Sequence, residues 1–222
     1  MFIPLKDLNP HRTPPIVNTL LILTNVIVFL YQLTLTPAQY KIFLYSNATI
    51  PSHISGFLAG HVSFETAFLP LFTSMFLHMG LLHIAGNMLF LWIFGDNVED
   101  YFGHFPYLLF YLACGIGSDL SHILFNFHSS VPALGASGAI SGVMGAYIIL
   151  YPRAKVLTLV IIFFLPIPAF IILGYWFLLQ FVAGISTVGG GPAQGVAWWA
   201  HIGGFLMGML ITALSVGDQR KY

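Results

Sequence analysis

Long apolar stretches broken by short polar clusters set the pattern of the chain. The first apolar run is Val17 to Leu35. A mixed segment follows from Thr36 to about Thr73, punctuated by Pro37, Pro51, Gly56, Gly60 and Pro70. It is long for a plain connection, and such loops are usually functional. Further apolar runs cover 79–95, 105–124, 137–150, 156–185 and 198–216. Asp96, Glu99, Asp100 and Gly103 mark an aqueous turn after the second run, and polar Asn126 to Pro132 ends the third. Tyr151 to Lys155 closes the fourth, and the glycine-rich Ser186 to Gly195 reads as a flexible loop. Pro166 and Pro168 interrupt the 156–185 run. Proline removes a helix hydrogen bond and clashes with the preceding turn. That run therefore divides into a short membrane-surface segment (156–166) and a helix (167–185). About 20 apolar residues suffice to cross a bilayer. The pattern thus predicts an all-α membrane protein. Six transmembrane helices are expected near 17–35, 79–95, 105–124, 137–150, 167–185 and 198–216, in a single domain over 1–222.

Composition sharpens this. Of 222 residues, 58% are hydrophobic and 6% charged, where a soluble domain carries roughly 25% charged residues. So few charges cannot clothe a water-soluble surface, which excludes a soluble enzyme and a disordered chain. A formal net charge of +0 offers no polybasic pull, so no nucleic-acid partner is expected. The single Cys114 excludes an internal disulfide and a cysteine-based zinc cluster, and reads as a small packed side chain. Residues 1–15 are too polar and proline-rich for a signal peptide, and no cleavage site follows the first run. The first helix is therefore expected to be retained.

The basic residues give an orientation. With six crossings, Lys6, Arg12, Arg153, Lys155, Arg220 and Lys221 share one side, and Lys41 is alone on the other. The positive-inside rule then puts both termini in the cytoplasm. A bare six-helix core of this kind suits a prokaryotic plasma or inner membrane.

Polar residues inside a membrane are costly and are functional suspects by default. His83 and Asn87 are four apart and share one helix face. Gly135-Ala136-Ser137-Gly138 sets a serine at the mouth of the fourth helix, and His201 lies one turn into the sixth. All even-numbered helices start outside, so Asn87, Ser137 and His201 are expected at one depth below the outer surface. Gly138, Gly142 and Ala146 recur every fourth position, as do Gly204 and Gly208. Such small-residue faces let membrane helices approach closely. If these two faces pack together, Ser137 and His201 meet; the plainer reading is an ordinary packing seam.

A serine hydroxyl becomes a nucleophile when a base takes its proton, and His201 can do that near neutral pH. Asn87, the His83 ring N–H and the Ser137 backbone N–H are candidate oxyanion donors. No carboxylate is placed to orient His201, so a dyad is expected. Asp119 and His122 share a face and are expected to pair or to reach the outer water. His11, His53, His61, His104 and His128 fall in loops and read as solvated.

At these residues the chain resembles the rhomboid family of intramembrane serine proteases. Three motifs carry the resemblance, in order and on alternate helices: His78-x4-His83-x3-Asn87, Gly135-Ala136-Ser137-Gly138 and Ala200-His201-x2-Gly204. The resemblance implies a six-helix bundle with Ser137 and His201 as catalytic dyad. It implies an oxyanion hole lined by His83 and Asn87, with His78 organising the first loop. Gly135, Gly138 and Gly204 are implied as structural residues near the site. It also implies that helix five and the loop after it gate entry of transmembrane protein substrates from the bilayer, with no cofactor and no metal. Two departures stand out. Leu69-Pro70 occupies the place of a common Trp-Arg pair, and Ser141 stands where some members stack an aromatic ring on the histidine. Trp198, Trp199 and Tyr147 are candidate neighbours for His201, or another hydrogen bond holds it.

Three other readings compete. A non-proteolytic relative would bind and escort transmembrane segments, but such members generally lack the serine or the histidine, and both are present here. A small transporter would show inverted halves and broken midplane helices, and none is evident. A metalloprotease would need His-Glu-x-x-His, which 78–83 does not supply, and Gly189-Gly190-Gly191 is not followed by a phosphate-binding lysine motif.

Overall fold

The computed structural model describes residues 2–188 and 196–219. In chain order the elements are β1 (Phe2–Asp7), α1 (Ile16–Thr34), and four short helices α2 (Pro37–Asn47), α3 (Pro51–Leu58), α4 (Phe64–Phe68) and α5 (Pro70–Thr73). A 3-10 turn (Ser74–Phe76) leads to α6 (Leu81–Phe102), α7 (His104–Phe125) and α8 (Ser137–Leu150). Then come β2 (Lys155–Val160), β3 (Phe163–Pro168), α9 (Ala169–Val188) and α10 (Trp198–Gln219). The protein is mostly helical, and the six apolar runs correspond to α1 and α6 to α10. Five of these helices are long and apolar enough to cross a membrane; α8, with 14 residues, is shorter.

The short helix is the axis of the bundle. Every residue of α8 from Gly138 to Tyr147 is buried. Its glycines explain how neighbours come so close. A Cβ on Gly204 would run into the Gly138 carbonyl, one on Gly208 into Gly142, and one on Gly145 into the Phe205 carbonyl. Thus α8 and α10 meet backbone to backbone, as small-residue faces permit. On the other side α7 closes in, for a Cβ on Gly138 would strike Ser118 and one on Gly203 would strike Ser121. Where the faces are this tight, apolar side chains fill the remaining space: Phe94, Tyr107, Tyr111, Val143, Met144 and Phe205 belong to one continuous buried core.

One end of the bundle departs from the expected all-α fold. Residues 2–7, 155–160 and 163–168 form a three-stranded antiparallel sheet in the order β1-β2-β3. Phe2 pairs with Val160 and Asp7 with Val156, with a bulge between Pro4 and Lys6. The segment 156–166, expected as a short membrane-surface segment, is therefore part of a β-hairpin, and the fifth helix starts at Ala169, later than expected. The prolines explain this. Pro166 and Pro168 lie on β3, an edge strand, where a missing N–H costs no ladder bond. Val156, Thr158 and Val160 supply the β-branched residues that suit a strand.

The expected aqueous turn at 96–103 is also corrected. Helix α6 continues to Phe102, and the chain turns at Gly103 with φ +79°, a conformation suited to glycine. The continuation buries Glu99, whose carboxylate accepts from the Val17 N–H (2.9 Å) and the Asn18 N–H (2.7 Å). These are orphan donors at the start of α1, where a negative charge is favoured. His104, expected in a solvated loop, opens α7 and bonds the same carboxylate; His53 likewise lies on a helix, α3. Asn97 donates to Asp7 (2.7 Å) and accepts from Asn9 (2.6 Å), tying β1 to α6. Tyr101 reaches Ser215 of α10 at 3.4 Å. The N-terminal strand, the α6–α7 turn, the segment after α8 and the end of α10 thus share one end.

The opposite end is capped by the 36–80 segment. It folds into α2–α5, beginning with a capping box between Thr36 and Gln39. Anchoring does not use the 69–70 position alone. Thr49 and Ala133 form an antiparallel bridge, and Thr73 donates to the Asn47 carbonyl at 2.8 Å. Gln32 of α1 clamps the His78 backbone through two 3.1 Å bonds, one to each of its main-chain groups. Asp119 of α7 accepts from Thr49 (2.5 Å) and Ser74 (3.0 Å). It neither pairs with His122 nor reaches outer water, as had been expected; His122 faces Asn126 instead. Of the glycine-rich stretch expected to be a loop, Ser186 to Val188 belong to α9, and 189–195 lie outside the described residues.

Candidate active site

Ser137 is the first residue of α8, and His201 lies in the first turn of α10. The glycine contacts between these helices bring the two side chains together: Ser137 Oγ is 2.9 Å from His201 Nε2. The start of α10 is fixed by α7. Ser121 donates to the Trp199 carbonyl at 2.8 Å, and the Trp199 ring stacks on Phe125 at 3.6 Å. Trp199 is thus an anchor and not a neighbour of the histidine, and Tyr147 packs on Phe94 and Tyr151. Of the three aromatic residues considered, Trp198 alone borders His201, with ring centroids 6.4 Å apart. Trp176 of α9 is nearer, at 5.9 Å. Ser141 points back along its own helix and donates to the Ser137 carbonyl at 2.6 Å.

The remaining nitrogen of His201 has a partner that the sequence reading missed. Nδ1 lies 2.7 Å from Oε1 of Gln180 on α9. The available signal was a lone glutamine in an otherwise apolar membrane run, a costly residue there.

The side chains expected as oxyanion donors approach from α6. Asn87 is buried, and its Nδ2 lies 2.9 Å from His78 Nε2. An asparagine amide has two N–H donors, so one holds His78 and the second is free to point elsewhere. His78 lies outside the spanning helices. Burial lowers its ring to about 4, the nearby His83 adds to this, and the Phe76 carbonyl opposes it. A neutral His78 can accept from Asn87 at Nε2, which fixes the amide. His83 packs edge-on against His78 at 5.1 Å, and its Nδ1 takes a long 3.5 Å bond from the Met79 N–H. That leaves its Nε2 to carry the proton.

Gly135 makes room for these groups. It has φ +122°, and a Cβ there would sit 2.9 Å from the His83 ring and 3.7 Å from Asn87 Nδ2. The loop before Ser137 therefore runs directly beside both. Its N–H donates to the Ser74 carbonyl at 2.9 Å, which joins this loop to the 36–80 cap. The arrangement sets a hydroxyl against an imidazole, with amide and imidazole N–H groups nearby and Ser137 at a helix start. Among the described residues, no group of three or more His, Cys, Asp or Glu side chains is arranged to hold a metal ion.

Comparison with known proteins matches the description "Rhomboid domain" to residues 65–217. Rhomboid protein 1, mitochondrial, of Saccharomyces cerevisiae is 31% identical over 156 residues, covering 66% of this chain and 42% of that protein. RHOMBOID-like protein 12, mitochondrial, of Arabidopsis thaliana is 32% identical over 157 residues, 60% of this chain and 46% of that protein. Rhomboid protease GluP of Bacillus subtilis is 45% identical over 76 residues, 34% of this chain and 14% of that protein. The chain spans less than half the length of each of these relatives.

Proposed function

Because this multi-pass membrane chain belongs to the rhomboid family, we propose that it is an intramembrane serine endopeptidase cutting transmembrane segments of single-pass membrane proteins. The observation that carries the reading is the 2.9 Å contact between Ser137 Oγ and His201 Nε2. Ser137 Oγ attacks the scissile carbonyl while His201 Nε2 takes its proton. The tetrahedral oxyanion is met by the Ser137 N–H, the second N–H of Asn87 and the Nε2–H of His83. Helix starts leave such backbone donors without intrahelical partners. Collapse expels the amine, which takes the proton from His201, and leaves an acyl-enzyme on Ser137. A water molecule, deprotonated by His201, then hydrolyses that ester. The chemistry needs neither metal nor cofactor. A substrate helix must unwind locally, since its own turns shield each peptide bond. Small or helix-weakening residues near the cut are therefore expected.

The membrane setting is part of the proposal. Fourteen residues make α8 about 21 Å long, against a hydrocarbon core of about 30 Å. Burial of α8 at the centre of the bundle supports a sixth crossing, and the shortfall leaves room for its nucleophile to sit below the outer surface. The six-to-one distribution of basic residues supports cytoplasmic termini and a site opening to the extracytoplasmic side of a plasma or inner membrane. A continuous core from Leu21 of α1 to Phe205 of α10 supports one rhomboid-like domain over 1–222.

The test is labelling by a fluorophosphonate probe in detergent, together with cleavage of a model transmembrane substrate. The parent protein should be labelled and active, and Ser137→Ala and His201→Ala should lose both. Undiminished cleavage by Ser137→Ala would refute the assignment. Capture of a transmembrane segment by an unlabelled parent would point to a binding protein instead.

A further inference from the structure

The buried face of α9 carries Ile172, Leu173, Gln180 and Gly184, while Leu178, Leu179, Phe181 and Val182 are exposed. Any aliphatic residue would fill position 180 at lower cost, since an amide buried in a membrane must find a partner. The partner found is the base of the candidate site, at 2.7 Å. We propose that Gln180 is a positioning residue for His201: its amide oxygen holds the ring in the Nδ1–H tautomer and turns the Nε2 lone pair toward Ser137. The proposal rests on the protease reading and adds a member to that site.

The chemistry follows from proton counting. Neutral imidazole carries one N–H and one lone pair. With the proton on Nδ1, Nε2 accepts from Ser137 and can take its proton. With the proton on Nε2, the ring donates to Ser137 and cannot serve as its base. A carbonyl oxygen only accepts, so Oε1 beside Nδ1 selects the productive form. In a serine–histidine–aspartate triad a buried carboxylate does this. A neutral amide does it here without placing a charge among apolar helices, where ions are costly. The titratable groups that bear electrostatically on His201 include His83 of α6 and His122 of α7, neither a carboxylate, and Ser141 is committed to its own helix. Gln180 is thus the group whose hydrogen bond decides the tautomer. The orientation of the amide matters: rotated so that Nε2 faces the ring, it would impose the opposite tautomer.

The experiment combines imidazole-15N NMR with pH-dependent labelling by a fluorophosphonate, on the full chain in detergent. The parent should show His201 protonated at Nδ1. Gln180→Leu should shift it toward Nε2–H and slow labelling at least ten-fold, with kcat for a transmembrane substrate falling and KM unchanged. Gln180→Glu should keep the acceptor and recover labelling. Its carboxylate should move the acid limb of the rate profile up by about one pH unit or more. An Nε2–H tautomer in the parent overturns the proposal, as does Gln180→Leu with labelling within two-fold and an unchanged profile. If Gln180→Leu fails to fold, the isosteric Gln180→Glu decides through its acid limb: a limb that stays put overturns the proposal. A parent that the probe does not label refutes the protease reading, and that result is separate from the tautomer seen by NMR.

Discussion

Adding one methyl group at Gly204 tests whether the backbone contact between α8 and α10 sets the catalytic distance. In Gly204→Ala the new Cβ falls inside the van der Waals shell of the Gly138 carbonyl oxygen, with the Gly138 carbonyl carbon 3.0 Å away and Ser118 Cβ 3.4 Å away. The obstacle is main chain, so no side-chain rotation relieves it. Restoring an ordinary carbon–oxygen separation of about 3.5 Å moves α10 outward by roughly 1.4 Å. Ser137 Oγ and His201 Nε2, now 2.9 Å apart, would then part beyond hydrogen-bonding range. Overpacking costs about 1–3 kcal/mol, and a displacement of this size at a reacting pair costs on the order of 100-fold in rate. The assay is the fluorophosphonate labelling rate beside a thermal melt in detergent. Gly174→Ala is the control, because a Cβ there meets nothing within 4 Å; it should leave both readings unchanged or raise the melt slightly. Gly204→Ala labelled within three-fold of the parent would refute the reasoning.

Other consequences can be measured in parallel. Asn87→Ala should lower kcat by about 100- to 1,000-fold, as loss of one oxyanion donor does, and should also lower the melt, because it strands the buried His78 Nε2. Gly135→Ala should inactivate, since φ +122° strains any L side chain and its Cβ would crowd His83; an active Gly135→Ala would argue against His83 lining the site. Asp119→Ala leaves the Ser74 hydroxyl without its acceptor and Thr49 with only its 3.2 Å bond to the Pro70 carbonyl; it should cost about 1–3 kcal/mol for the stranded group, read as a lower melt and faster proteolysis within 36–80. For His78, burial lowers the folded-state value from 6.5 to about 4. The unfolded chain therefore binds the extra proton first. This contribution to stability is complete above pH 6.5 and fades as pH falls toward 4. The melt should drop across that window and drop less steeply in His78→Gln.

What the sequence revealed, and what it hid, follows from how local each signal is. Ser137, His201 and the glycines spaced four apart belong to single helices, so the seam on which α8 and α10 meet could be read from spacing. The partners across the bundle could not. Asn87 is held by His78, nine positions earlier and outside its helix, and His201 by Gln180 from another helix. Gln180 sits in a run whose apolar character drew attention away from its one amide. Glu99 looked like a turn residue because its sequence neighbours are acidic; its burial depends on α1, 81 positions away from it at Asn18. The sheet was hidden for a similar reason. Phe2 to Asp7 has no strand signature without β2, and the prolines of β3 read as helix breaks until the edge-strand pairing is seen.

That pairing also has a history in time. β1 leaves the ribosome before β2, and Phe2 meets Val160 only after 158 further positions have been made. At about 5–20 residues per second, the first strand waits roughly 8–30 s for its partner, while α1, α6, α7 and α8 are synthesised. An unpaired strand edge invites pairing with other chains. The features that make β1 a poor strand by itself are the ones that protect it meanwhile: it is six residues long, Pro4 withholds one donor, and Lys6 and Asp7 place charge at its end.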